Sequence, residues 1–204
     1  MTLELGGKSP ALVAVDANMR VAARRIVNSK FSNCGQMCVA PDYVLVPTAL
    51  KDSLIQELII ATKKFYGEDP ENTDGYGKII NEKQWQRLVG YLQDGKVVYG
   101  GKSNPATLFI EPTILTDVAL DSKIMQDEIF GPILPILTYD TNEEALEIIR
   151  RNPNPLAFYV FTSNNTTEQY WLNNVPSGGA CVNNAIFHLT NHALPFGGRG
   201  FSGL

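Results

Sequence analysis

The chain has 204 residues, of which 44% are apolar and 19% charged, with a formal net charge of −4; this is enough for one sizeable core and ordinary for a globular protein. The acidic balance excludes a basic nucleic-acid surface, and the 17 Lys and Arg are too scattered for a polybasic membrane patch. No apolar run approaches the roughly 20 residues of a membrane helix, no signal-peptide core opens the chain, and three cysteines make no disulfide framework, so reduced, cytoplasm-like surroundings are expected.

In chain order, the apolar run 11–15 predicts a buried strand. Asp16 and Asn18 are both placed to cap a helix over 19–32, with Val21, Ala22, Ile26 and Val27 on a shared face. Residues 43–46 read as a second strand, and a long amphipathic helix covers about 50–65, with Gly67 just past its end. Residues 68–78, rich in Asp, Glu, Asn, Pro and Gly, form a loop. Asn81 caps a helix through Leu92, 96–99 is a short strand, and Gly100 and Gly101 turn out of it. Residues 109–115 look extended, with Pro112 calling for an edge or an irregular stretch. A strand over 133–139 is interrupted by Pro135. A helix over 142–151, a strand over 157–162, a helix over 167–174 and a strand over 179–183 complete the series. Asn164-Asn165-Thr166 fits a glycosylation sequon but reads as a polar turn. Alternating strands and helices, with no repeat or linker, predict a single α/β domain: an open, mostly parallel sheet with helices on both faces.

Four segments carry candidate chemistry. Cys34 and Cys38 sit in the Gly-containing loop Asn33-Cys-Gly-Gln-Met-Cys38, where exposed backbone N–H groups can stabilise a thiolate or a developing oxyanion. Spacing alone favours two small buried thiols. Glu4, between two leucines and ahead of Gly6-Gly7, suits a general base; taken alone it reads as an exposed charge. Asp127-Glu128-Ile-Phe-Gly-Pro132 pairs acids with an aromatic, fit for a ribose and a ring, or else a surface turn. The stretch 194–203 contains Gly198, Gly200 and Gly203 in G-x-G-x-x-G spacing. It follows no strand, opens no helix and lacks the trailing acid of a dinucleotide fingerprint, so the match is rejected. His188 and His192, four apart, lack a third ligand and do not make a metal site.

Together these segments resemble the aldehyde dehydrogenase family. Leu3-Glu4-Leu5-Gly6-Gly7-Lys8 is similar to its glutamate motif, and Asn33–Cys38 to its cysteine motif, with Cys38 at the nucleophile position 34 residues after Glu4. Glu128-Ile-Phe-Gly-Pro132 and Pro195-Phe-Gly-Gly198 follow in the expected order. The continuation Cys38-Val-Ala-Pro-Asp-Tyr43, Gly131–Ile136 and Phe187-His188 are most similar to the branch acting on medium-to-long-chain and aromatic aldehydes.

The resemblance implies a set of roles. Cys38 forms a thiohemiacetal with an aldehyde and then a thioester, and Glu4 activates the water that hydrolyses it. The Cys38 N–H helps hold the oxyanion. Glu128 binds the nicotinamide ribose of NAD or NADP, Phe130 contacts its ring, and Phe196 lines the aldehyde tunnel. Asn33 and Gln36 shape the cysteine loop. It also implies that an N-terminal cofactor domain and a C-terminal tail that pairs subunits into a homo-oligomer lie outside this chain, so that residues 1–204 are an incomplete catalytic domain. Two other expectations stand beside this one: a non-catalytic module that pairs with a longer relative, and a cofactor-free thiol esterase.

Overall fold

The computed structural model describes residues 5–203. Nine strands occur in it: β1 (Pro10–Val13), β2 (Tyr43–Pro47), β3 (Lys96–Tyr99), β4 (Ser103–Asn104), β5 (Phe109–Ile110), β6 (Thr113–Thr116), β7 (Ile133–Tyr139), β8 (Ala157–Phe161) and β9 (Gly179–Val182). Seven form one sheet in the order β3-β6-β7-β2-β1-β8-β9, and β4 pairs with β5 in a small antiparallel hairpin. Every neighbour in the large sheet is parallel except the edge pair β3/β6. The central strands are buried on both faces, all four residues of β1 and all five of β8, as a sheet flanked by helices requires.

Among the described residues six α-helices flank the sheet: α1 (Met19–Phe31), α2 (Lys51–Tyr66), α3 (Glu82–Tyr91), α4 (Lys123–Gln126), α5 (Asn142–Arg150) and α6 (Asn165–Asn174). Local chemistry sets their ends. The Asn18 side chain accepts from the Val21 N–H at 3.1 Å to start α1. Gly67, at φ 74, ends α2. Thr141 and Glu144 form a reciprocal capping box on α5. Asn164 caps α6 through the Thr166 and Thr167 N–H groups.

Four details depart from the sequence expectation. Asp16 does not cap α1; it binds the hydroxyls of Thr162 and Ser163 and so ties the end of β1 to the end of β8. Val21 is 41% exposed, and Ala23 takes its place on the buried stripe with Ala22, Ile26 and Val27. Pro135 does not interrupt β7. It pairs with Leu115 of β6, and pairing with β2 starts one residue later at Ile136, so its missing N–H falls where the ladder changes neighbour. The extended stretch around Pro112 divides into β5 and β6.

Parallel registry brings the motif loops together. Gly6–Lys8 leads into β1, residues 38–42 into β2, and residues 127–132 into β7. All three therefore lie at the amino ends of adjacent parallel strands. Open α/β sheets more commonly bind ligands at the carboxyl ends.

Candidate active site

The cysteine loop begins where α1 stops. Asn33, Cys34 and Gly35 take successive left-handed conformations, φ 49, 53 and 70, which reverse the chain sharply. Gly35 is required there, because a Cβ would overlap the Gly131 carbonyl. Asn33 and Gln36 then staple the loop: the Asn33 amide donates to the Gln36 carbonyl at 3.0 Å, and the Gln36 amide donates to Asn33 and Lys78 carbonyls at 3.1 and 3.0 Å. The Ile80 N–H donates back to the Gln36 side chain at 3.0 Å.

The two thiols of this loop differ. Cys34 is buried and donates to the Gly77 carbonyl at 2.8 Å, and burial pushes its thiol up to about 11. Cys38 is half-buried and lies within the turn closed by the Ala40 N–H on the Met37 carbonyl at 3.0 Å.

Beneath Cys38, Asp42 joins three segments. One carboxylate oxygen pairs with the buried Lys8 ammonium and the other accepts the Ile129 N–H at 2.9 Å. Lys8 also donates to the Ile124 and Asp127 carbonyls at 2.8 and 2.9 Å. From α3, Arg87 donates to the Ile129 carbonyl at 2.7 Å and the Glu128 carbonyl at 3.3 Å. The loop 127–132 is thus held by its backbone, which leaves its side chains directed by backbone geometry. Phe130 is 40% exposed at φ 47, a conformation costly for an aromatic residue and one that recurs at functional sites. Glu128 is half-buried and accepts the Gly7 N–H at 3.3 Å. Burial, followed by the nearby Asp42 charge, raises its carboxyl to about 7. A cleft of about 320 Å³ opens beside it, lined by Gly6, Gly7 and Glu128 among others; Cys38, Phe130 and Phe196 are not in its lining.

Phe196 comes from the segment that follows β9. This segment turns at Ile186, which is left-handed at φ 58, and runs back past β9. Phe196 is 40% exposed, with its ring centroid 6.5 Å from that of His188. The His188 Nδ1 lies 3.4 Å from the Cys181 sulfur. Burial lowers the His188 imidazole and raises the Cys181 thiol. The Leu5 N–H donates to the Ser202 carbonyl at 2.9 Å, which brings the segment's end back to the strand leading into β1.

Cys38, Glu128 and Phe130 thus belong to loops leading into the neighbouring strands β2 and β7, Phe196 belongs to the segment after β9, and Glu4 lies outside the described residues. The described residues contain no group of three His, Cys, Asp or Glu side chains arranged to hold a metal. Four residues of the site escaped the sequence reading: Lys8, Asp42, Arg87 and Tyr159. Their long-range partners are 34 to 120 residues away, and no local pattern announces such pairings. Lys8 and Asp42 did carry one signal, since each lies within or just beyond a motif.

Comparison with known proteins gives the family and the fold. The model of the Aldehyde dehydrogenase family matches residues 1–204. The 4,4'-diaponeurosporen-aldehyde dehydrogenase of Staphylococcus aureus is 46% identical over the whole chain, which covers 45% of that protein. The dimeric NADP-preferring aldehyde dehydrogenase of Canis lupus familiaris is 45% identical, again over the whole chain and 45% of the relative. A solved structure described as the substrate-bound state of Staphylococcus aureus AldH superposes with a TM-score of 0.97 at 46% identity, covering 100% of this chain and 45% of that one. An NAD+ complex of an aldehyde dehydrogenase from Bacillus cereus gives 0.88 at 31% identity, covering 100% and 42%. The chain thus spans less than half the length of these relatives, and by sequence and fold alike it belongs to the aldehyde dehydrogenase family.

Proposed function

We propose that this chain supplies the catalytic part of a nicotinamide-dependent aldehyde oxidation, with Cys38 as nucleophile. The observation that carries the reading is the contrast between the two loop cysteines. Cys34 is sealed against the Gly77 carbonyl, whereas Cys38 is half-buried on a fixed turn. Its sulfur attacks the aldehyde carbonyl carbon, the C=O π electrons move to oxygen, and the thiol proton passes to solvent, leaving a thiohemiacetal oxyanion; loss of the carbon-bound hydrogen as hydride to a bound acceptor would re-form the C=O as the thioester. The Cys38 N–H assists the oxyanion. Glu4 takes a proton from the water that attacks the thioester, and the Cys38 thiolate leaves as the carboxylate product forms.

The cleft beside Glu128 fits the ribose end of a nicotinamide dinucleotide: Gly6 approaches the Glu128 carboxyl so closely that a Cβ there would overlap it. Glu128 would hold the ribose and Phe130 the ring. When bound, the nicotinamide supplies the hydride acceptor for the oxidation. NAD and NADP both remain within the proposal, as does assembly as a homo-oligomer. Apolar aldehydes suit the wall built from Phe187, Leu189, Leu194 and Phe196, all at least 38% exposed. One relative is named for a particular aldehyde substrate, the 4,4'-diaponeurosporen-aldehyde dehydrogenase of Staphylococcus aureus.

Acyl transfer tests the reading without a hydride acceptor. Incubation with p-nitrophenyl acetate followed by peptide mass spectrometry should place the acetyl group on Cys38, and Cys38→Ala should abolish the burst of nitrophenol. Acetylation spread over Cys34 and Cys181, or a burst that survives Cys38→Ala, would overturn it.

A further inference from the structure

Tyr159 lies on β8, fully buried, with Ala11 of β1 and Cys181 of β9 as its register partners. Its ring belongs to the core, and a phenylalanine would pack as well. Its hydroxyl does something packing does not require. It donates to the Val39 carbonyl at 2.6 Å across 120 residues. Val39 directly follows Cys38. Ile186 is where the C-terminal segment turns, at φ 58 and ψ −22, a conformation that a β-branched side chain resists. A single side chain therefore stands between the turn that presents the Cys38 thiol, through its hydroxyl, and the start of the apolar wall, through its ring beside His188. The Tyr159 ring is 6.1 Å from His188, which neighbours Phe196. Both Cys38 and Cys181 lie within electrostatic reach of the phenol.

We propose that Tyr159 is a positioning residue: its hydroxyl fixes the spacing between the Cys38 turn and the segment from Ile186 to Phe196, and thereby sets which electrophiles reach the thiol. The inference rests on the reading of Cys38 as nucleophile. Burial holds the phenol well above its ordinary range, so it stays a donor throughout the pH range of the test below. The Val39 carbonyl it satisfies is buried, and without the hydroxyl that acceptor loses its partner.

Tyr159→Phe in the full chain removes one oxygen and keeps the ring. Intact-mass kinetics would follow alkylation of Cys38 by iodoacetamide, a small reagent, and by N-phenylmaleimide, a bulky aromatic one, between pH 6 and 9. The expected result is a change of about fivefold in the ratio of the two rates, the scale of one buried hydrogen bond. Cys34 should stay unreactive as a reporter of intact folding. An unchanged ratio and an unchanged pH profile in a folded variant would overturn the proposal. If instead Cys38 in the unaltered chain reacts no faster than Cys34, it is the nucleophile reading that fails. Should the variant not fold, amide exchange on the unaltered chain decides. The proposal requires residues 36–41 and 185–190 to open in one event with equal protection, and independent opening of the two segments overturns it.

Discussion

Around Cys38 the chain is tethered from several directions. Asn33 and Gln36 staple the loop, Tyr159 holds the Val39 carbonyl, and the Lys8–Asp42 pair lies beneath. Around Phe196 the bonds are mostly short-range: Leu189 to Ile186, Asn191 to His188, Leu194 to Asn191. Its apolar side chains face solvent, with Leu194 53% and Phe201 81% exposed. One wall of the site is therefore stiff and carries the proposed nucleophile, and the other is apolar and held mainly through its ends. A nucleophile needs fixed geometry, because small displacements of the attacking atom cost rate. A surface that receives varied apolar groups can be looser.

The contrast is broken most severely at Asp42. Asp42→Ala strands the buried Lys8 ammonium and frees the Ile129 N–H, and should cost about 3–5 kcal/mol in urea unfolding. A loss below about 1 kcal/mol would mean that the two walls do not differ in stiffness for the reason given. Lys30 sharpens the comparison from beneath. It is wholly buried on α1, its ammonium has no hydrogen-bond partner among the described residues, and burial lowers it to about 8. Because the folded value lies below the ordinary 10.5, the unfolded chain holds more protons between about pH 8 and 10.5, so this group makes stability rise with pH across that window. Lys30→Met should flatten the rise and stabilise the chain by about 1–4 kcal/mol at neutral pH, read from unfolding midpoints at pH 7 and 10. Destabilisation at pH 7 would show that the ammonium is needed for the fold. The smallest effect belongs to the other wall: Leu194→Ser should leave stability within about 0.5 kcal/mol, and a larger loss would mean that Leu194 packs into the core.

Sequence periodicity was sufficient for the strands that are buried on both faces, because an unbroken apolar run such as Pro10–Val13 or Ala157–Phe161 has few other uses. It was less sufficient at Pro135, where the outcome depended on which neighbour each residue of β7 pairs with. It also misplaced Val21, one position off the buried stripe of α1. For the candidate site, the motifs singled out Cys38, Glu128, Phe130 and Phe196 as the proposed residues, because the resemblance rests on residue type and order. The supports of these residues were not legible. Arg87 reads as an ordinary exposed helix cation until the fold sets it against the Glu128 and Ile129 carbonyls. Tyr159 reads as core until its hydroxyl is seen to meet Val39.

The most direct test of the account is the alkylation rate of each cysteine in the purified chain, followed by peptide mass spectrometry across pH 6–11. The account predicts that Cys38 reacts fastest, and that Cys34 stays silent until about pH 11, where burial has placed its thiol. Equal and slow labelling of Cys34, Cys38 and Cys181 would contradict it.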